Sequence, residues 1–250
     1  MTSRLAAVIL AGGEQDALAL QEGVRSKALI GLGNKALAAY VIEALRQAES
    51  IFHISYIGPI SEELRAQIDA HSEAGKTLAE SLGNGLELAQ KQYPEAILFV
   101  TADLPWLTAQ GIEAFCQSPA ADLVYAAITK ARVLEQFPEQ KRTFVRFKEG
   151  SFTGGNVLLL KPGAETQLLP FVNQLYASRK NPLGLAKLVG FGTLIQLALG
   201  NLPISSLEKR VSQVLNLKAR VFISEDPGLG ADIDKPEHLA QARKLHSKQA

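Results

Sequence analysis

Asp103 stands where a carboxylate could hold a metal ion. It follows the apolar run of FVTADLPWLT, residues 99–108, and a proline two positions later makes the chain turn. Ligands of α/β sheets bind at the carboxyl ends of strands, and carboxylate oxygens suit Mg²⁺. The alternative is an aspartate that stabilises the turn or caps a nearby backbone amide.

Asp232 and Asp234 flank Ile233 in GADIDKPEHL, residues 230–239. In an extended segment, residues two positions apart face the same way. Two carboxylates on one side repel each other unless a cation lies between them or one stays in solvent. The sequence therefore predicts either a metal site or a solvated Asp232 beside an Asp234 that caps the next helix.

Gly12 and Gly13 follow the first apolar run, and Lys27 stands just before the next one. Glycines let backbone N–H groups approach a phosphate, and a lysine can neutralise a phosphate oxygen. The spacing matches neither the dinucleotide-binding fingerprint nor a Walker A loop. An ordinary strand-to-loop turn is the alternative.

Asn156 follows a second double glycine in GSFTGGNVLLL, residues 150–160, and offers both a donor and an acceptor. The glycines are also typical of a β-bulge or a close backbone approach. A run of basic residues nearby is typical of a solvated face. It comprises Lys141, Arg142, Arg146 and Lys148, with Arg179 and Lys180 further along.

Apolar runs alternate with helical patterns over the first half of the chain, which predicts an α/β fold with a doubly wound, mostly parallel, Rossmann-like sheet. The expected strands are 5–10, 53–58, 96–101 and 122–128, and the expected helices are 35–49, 61–71, 81–92 and 108–117. Ser61, Ser81 and Thr108 are the expected N-caps.

The second half of the chain has a different pattern. We expect two β segments in 141–162, helices over 163–216, a strand at 219–226 and a helix at 235–246. The whole chain, 1–250, is predicted to be a single domain with a helical insertion, the lobe 163–216. Its apolar end could be a core, a homodimer face or the wall of a site for an apolar acceptor, and the first two are favoured.

Composition excludes several classes of protein. The 250 residues carry a net charge of +1, and aromatic residues make up 6%. A nucleic-acid binder would be more basic and richer in stacking side chains. The one cysteine allows neither an internal disulfide nor a cysteine-based zinc site, which favours the cytoplasm. No segment favours stable membrane insertion.

The motifs occur in the order AAVILAGG, SKALIGLGNKALAAYVIEAL, AESLGNGL, FVTADLPWLT, GGNVLLL and ADIDKPEHL. In this order the chain resembles the MobA-like NTP transferases, a family of nucleotidyltransferases with the fold of nucleotide-diphospho-sugar transferases. The resemblance implies Mg²⁺-dependent transfer of an NMP from an NTP to a phosphorylated or hydroxyl acceptor, with release of pyrophosphate. Molybdenum-cofactor guanylyltransferase activity and non-catalytic nucleotide binding remain the alternatives.

The resemblance also implies roles for individual residues. Lys27 and Asp103 would be catalytic, with Lys27 on a phosphate and Asp103 on Mg²⁺. Asp234 would be the second metal ligand, with Asp232 its nearest rival. The nucleotide would contact Leu10, Ala11, Gly12, Gly13, Lys27, Ser81 and Gly85, and the acceptor would contact Asn156, Arg179 and Lys180.

The loop before Lys27 departs from the family pattern, Gly-Gly-x-Gly-x-Arg-Met. Gln15 occupies the position of the third glycine, and the Arg-Met pair is missing. Gly23 or Arg25 could serve instead. A glycosyltransferase is disfavoured because TADLP holds one aspartate rather than Asp-x-Asp. A dinucleotide-dependent oxidoreductase is disfavoured because the G-x-G-x-x-G fingerprint is missing.

Overall fold

The structure is a computed structural model that describes residues 4–12, 16–140, 142–178 and 181–247. Its centre is a mixed sheet in the order β10-β7-β9-β6-β1-β4-β5, with β8 paired to β9. The strands are β1 Leu5–Leu10, β4 Ile51–Ile57, β5 Ala70–Ser72, β6 Ala96–Thr101, β7 Leu123–Thr129, β8 Val145–Phe147, β9 Gly150–Leu160 and β10 Ala219–Ser224. A separate two-stranded sheet pairs β2, Gly31–Leu32, with β3, Lys35–Ala36.

The central sheet is parallel except around β9. This strand lies antiparallel to β6, β7 and β8, whereas β1 is parallel to both β4 and β6. The predicted fold class, an α/β fold with a mostly parallel sheet, is confirmed. Because β1, β4 and β6 run the same way, their carboxyl ends meet at one edge of the sheet.

Helices cover both faces of the sheet. They are α1 Ala17–Gln21, α2 Leu37–Gln47, α3 Glu62–Arg65, α4 Leu78–Gln90, α5 Ala109–Cys116, α6 Lys130–Gln136, α7 Glu165–Ser178, α8 Pro182–Val189, α9 Phe191–Ala198, α10 Ile204–Leu215 and α11 Pro236–His246. Apolar side chains of α2 and α5 pack on one face, and those of α4, α7 and α10 pack on the other. In the described parts of the chain, no helix combines the length and apolar character needed to cross a bilayer.

Two local predictions were wrong. The predicted helix 61–71 is limited to α3, because Asp69 binds β4 instead: its carboxylate accepts from Ile54 N at 2.7 Å and its amide donates to Ile54 O at 2.9 Å. Ser81 is not an N-cap, since Thr77 caps α4 by accepting from the backbone N–H of Glu80 at 3.1 Å. The predicted caps Ser61 and Thr108 are confirmed.

The second double glycine lies inside β9 at an irregularity of the sheet. The register between β7 and β9 shifts between Tyr125 and Ala127, opposite the glycines. A Cβ on Gly155 would stand 2.8 Å from the Cβ of Ala126. The expected bulge with a close backbone approach is therefore present.

Candidate active site

The loop after β1 is held in a narrow space. Ala11 N donates to Ile57 O at 2.8 Å, and a Cβ on Gly12 would overlap the side chain of Ala74. Gly58 has φ of +134°, and a Cβ there would lie 2.6 Å from Gly12 N. The backbone at this strand end can take its path only because glycines stand at both positions.

Ser26 joins the returning segment to the end of β1. Its Oγ donates to Ala11 O at 2.5 Å and accepts from the backbone N–H of Ala28 at 3.3 Å. Lys27 therefore begins its short 3₁₀ turn directly beside the strand end. Ser26 is not among the predicted site residues, and its only local signal is a serine in the N-cap position of a short turn.

The two aspartate-bearing segments are joined through the backbone. Ile233 N donates to Asp103 O at 3.1 Å, and the Ile233 side chain is fully buried in a cluster with α11. Asp232 and Asp234 therefore share the opposite side, as the extended spacing predicted. One carboxylate oxygen from each of Asp103, Asp232 and Asp234 lies within 4.8 Å of the others.

Lys27 makes ion pairs with this cluster. Its Nζ lies 2.8 Å from an Asp103 oxygen and 3.8 Å from an Asp16 oxygen, and it donates a short hydrogen bond to Asp234. Burial lowers the pKa of Lys27, but Asp103 and Asp234 outweigh burial and raise it above its ordinary value. The lysine is therefore a cation at neutral pH.

Arg142 forms the second ion pair of the site. Its Nη1 lies 2.7 Å from Asp232 Oδ1, and each side chain is 11% exposed. Burial, with the repulsion of Asp103 and Asp234, raises the pKa of Asp232 to about 7 against the opposing effect of Arg142. The expectation that Arg142 belongs to a solvated face was wrong, and so was the alternative of a solvated Asp232.

Asp234 does not cap the following helix. The N-cap residue of α11 is Lys235, which makes no side-chain cap bond, and the amide of Asp234 faces His238 Nδ1 at 3.4 Å. Burial opposes ionisation of Asp234, but its bonds to Asp232 and Lys27 bring its pKa below the ordinary value. This carboxylate remains available to a cation.

The carboxylates fit a hard divalent cation. Four of them, including Asp16, contact two cationic side chains in the described ion-pair network, so negative charge is in excess. Asp103 Oδ1 is buried, and no donor of the described residues reaches it. Buried carboxylate oxygens are rarely left without a partner, and Mg²⁺ takes oxygen ligands of this kind.

A cavity of about 450 Å³ lies beside these carboxylates. Small-molecule sites span about 300–1,000 Å³. Arg25, one of the two residues that could replace the missing arginine, lines the cavity, and Gly23 does not. The predicted site residues among its lining are Leu10, Ala11, Gly12, Lys27 and Asp103.

The other predicted nucleotide- and acceptor-binding residues that the structure describes do not appear in the lining of this cavity. Ser81 is buried and accepts from Gly75 N at 3.0 Å, and it does not line the cavity. Gly85 packs on β1, where a Cβ would overlap Val8 Cγ1. Asn156 donates to Thr101 Oγ1 at 3.2 Å. Gly13, Arg179 and Lys180 lie outside the described residues.

A family model for the MobA-like NTP transferase domain matches residues 7–189. The chain belongs to this family. This MobA-like NTP transferase is thus a nucleotidyltransferase. A search of curated proteins finds no match.

Solved structures resemble the transferase over nearly its whole length. A hypothetical transferase from Thermus thermophilus is 35% identical, with a TM-score of 0.86 over 94% of this chain and 99% of the other. CMP:2-keto-3-deoxy-manno-octonic acid synthetase complexed with CTP is 12% identical, with a TM-score of 0.56 over 99% and 100%. 4-Diphosphocytidyl-2C-methyl-D-erythritol synthase from Anaerococcus prevotii is 11% identical, with a TM-score of 0.56 over 98% and 97%. The last two share the fold.

Proposed function

We propose that this MobA-like NTP transferase moves an NMP from an NTP to a phosphorylated or hydroxyl acceptor, with Mg²⁺ as cofactor and release of pyrophosphate. The observation that supports this most is the unpartnered oxygen of Asp103 beside Lys27, at the wall of a cavity of suitable volume. Three elements of chain far apart in sequence converge there.

The nucleotide binds across the carboxyl ends of β1 and β6. The backbone amide of Gly12 would face the phosphates, because that of Ala11 is bound to Ile57 O, while Lys27 and Arg25 supply positive charge to the triphosphate. A structural relative solved with CTP supports a nucleoside triphosphate as the ligand. Which base the loop prefers depends on backbone groups that all four NTPs could reach.

Asp103 and Asp234, with Asp232, are the residues that would hold Mg²⁺. When bound, the ion supplies neutralisation of phosphate charge and of the leaving pyrophosphate. In the nucleotide-free protein, Lys27 neutralises part of the charge of these carboxylates by contacting Asp103 and Asp234. Arg142 keeps Asp232 in place beside them.

In the reaction, an acceptor oxygen forms a bond to the α-phosphorus. The bond between that phosphorus and the bridging oxygen to the β-phosphate breaks, and its electron pair leaves with pyrophosphate. A phosphate acceptor yields a diphosphate linkage, and a hydroxyl acceptor also releases its proton to solvent. Such a transfer depends on positioning and charge neutralisation, which the glycines, the lysine and the aspartates of the site provide.

We also infer a cytoplasmic location, on the basis of the one cysteine, and a homodimer. Phe191 and Ile195 of α9 and Leu199 at its C-cap recur at helical spacing and are each exposed, which favours a self-complementary apolar face. Sedimentation of the protein and of Ile195→Glu tests the dimer. A monomer in both cases would contradict it.

The test of the function is thermal unfolding with ATP, GTP, CTP or UTP, each with and without Mg²⁺. A nucleotide at about a hundred times its Kd adds about 2.7 kcal/mol to the free energy of unfolding, which gives a visible shift. We expect a Mg²⁺-dependent shift with at least one NTP in the wild type and a loss of it in Asp103→Asn. Glu87→Gln, an exposed carboxylate paired with Lys91, is the matched control and should behave as wild type.

Turnover gives a second readout once an acceptor is known. Asp103→Ala should lower kcat by several orders of magnitude, because it removes the buried metal ligand. Near-normal turnover in that variant would contradict the assignment. A Mg²⁺-dependent shift without pyrophosphate release from any acceptor would favour a non-catalytic nucleotide-binding protein.

A further inference from the structure

A second cavity, of about 600 Å³, lies between the sheet and the helical lobe. Its floor is formed by side chains of β6, β7, β9 and β10, among them Phe99 and Leu158. Its roof is formed by α7 and α10, through side chains such as Val172, Leu175 and Val211. The volume falls within the range of about 300–1,000 Å³ that small-molecule sites occupy.

The charged side chains that line this cavity are neutralised within its wall. Glu208 accepts from Val221 N at 2.8 Å and lies 3.4 Å from Arg220 Nη1. The hydroxyl of Tyr125 donates to Gly155 O at 2.8 Å. Since these polar atoms already have partners, the wall favours an apolar ligand.

Apolar side chains at the edge of the cavity remain partly exposed. Leu78 and Tyr125 are each 42% exposed, and Leu175 is 38% exposed, and all three line the cavity. A ligand that covered them would remove this apolar area from water. Packing among the described residues leaves this apolar area exposed.

The apolar cavity adjoins the nucleotide cavity. Leu10, Leu78 and Thr101 line both. Thr101 accepts a hydrogen bond from Asn156, and it ends the strand that Asp103 follows. The junction is therefore the place where polar groups and the metal-binding carboxylates come nearest to the apolar wall.

We propose that the acceptor is an amphiphile: an alkyl or isoprenyl chain fills the apolar cavity, and a phosphate or hydroxyl head lies at Thr101 and Asn156. This inference rests on the proposed function, because it makes the head group the nucleophile for the α-phosphorus. The head oxygen forms the new bond, and pyrophosphate leaves as before. The product carries the NMP at the polar end of the chain.

The experiment is a calorimetric titration of the full chain with butyl, hexyl, octyl and decyl phosphate, each below its micelle concentration. Octanol replaces octyl phosphate in a parallel arm to distinguish a hydroxyl from a phosphate head. NTP binding with Mg²⁺ is measured on the same samples. The variants are Leu175→Trp and Val172→Trp, which fill the cavity, and Leu134→Trp, at an exposed position of α6 outside the cavity lining, as the control.

We expect affinity to rise by about fourfold for each added methylene, as burial of a CH₂ group requires. The rise should be lost in Leu175→Trp and Val172→Trp, kept in Leu134→Trp, and accompanied by unchanged NTP binding in all of them. Because Leu175 is partly exposed, its replacement by tryptophan leaves the core intact even where Val172→Trp does not fold.

Two results would overturn the inference. One is NTP binding together with an alkyl phosphate affinity that does not depend on chain length. This result would contradict the amphiphilic acceptor but not the proposed function. The other is the same chain-length dependence in Leu175→Trp as in the wild type, which would place the chain elsewhere. Chain-length-dependent binding without NTP binding would support the cavity ligand and count against the nucleotidyltransferase proposal.

Discussion

The backbone amide of Ile233 donates to the carbonyl of Asp103 at 3.1 Å, across 130 residues of chain. This bond fixes the segment that carries Asp232 and Asp234 against the end of β6. Because Ile233 is anchored in the core, both neighbouring carboxylates must face Asp103. The acidic cluster is thus a consequence of strand order and of one buried side chain.

Lys27→Met should separate metal binding from nucleotide binding. Lys27 contacts Asp103 and Asp234, so a metal ion must displace it in the nucleotide-free protein. We expect the variant to bind Mn²⁺ more tightly than the wild type, by calorimetry without nucleotide. NTP affinity should fall by about 10- to 100-fold, since a charge-assisted bond to phosphate contributes roughly 1.5–3 kcal/mol.

Lys91→Met is the control for this prediction, because Lys91 pairs with a carboxylate on an exposed helix surface. Lys91→Met should change neither the affinity for Mn²⁺ nor the affinity for NTP. Weaker Mn²⁺ binding in Lys27→Met would show that the lysine organises the carboxylates rather than competing for them.

Arg142→Met should be strongly destabilising. It leaves the buried carboxyl of Asp232 without its ion-pair partner, and breaking such a pair costs about 3–5 kcal/mol. Denaturant unfolding should show this loss, and Asp232→Asn in the same chain should recover part of it. By comparison, Arg132→Met removes an exposed pair with Glu225 and should change the free energy of unfolding little. Equal effects of the two arginine variants would argue against a structural role for the buried pair.

Gly85→Ala tests whether this glycine serves packing or nucleotide binding. The new methyl group would overlap Val8, so overpacking should lower the free energy of unfolding by about 1–3 kcal/mol. In Gly83→Ala on the same helix, the new Cβ would lie 3.9 Å from its nearest neighbour, Leu169 Cδ1. Because alanine has the higher helix propensity, this variant should stabilise the protein by about 0.5–1 kcal/mol. Val8→Ala should relieve the overlap. Normal stability with lost NTP affinity would instead assign Gly85 to the nucleotide.

Ser26→Ala should weaken both stability and nucleotide binding. The serine joins Ala11 to the turn that carries Lys27, so its loss should cost about 1 kcal/mol and displace the lysine. Ser61→Ala removes a comparable cap on α3, away from the cavity, and should lower stability without changing NTP affinity. If both variants bind NTP like the wild type, Ser26 does not position Lys27.

The sequence by itself determined the alternation of strands and helices, the strand ends that carry Gly12 and Asp103, and the shared side of Asp232 and Asp234. These depend on local periodicity and on backbone geometry over a few residues.

Only the tertiary structure decided the other contacts of the site and the fold. Arg142 reaches Asp232 across 90 residues, and Gly85 faces Val8 because α4 lies directly on β1. The short strand β5 replaces part of a predicted helix because Asp69 binds β4. Contacts between distant segments do not change the local pattern of the sequence. In the sequence each partner is an ordinary basic, small or acidic residue, and the pairing depends on how the sheet folds.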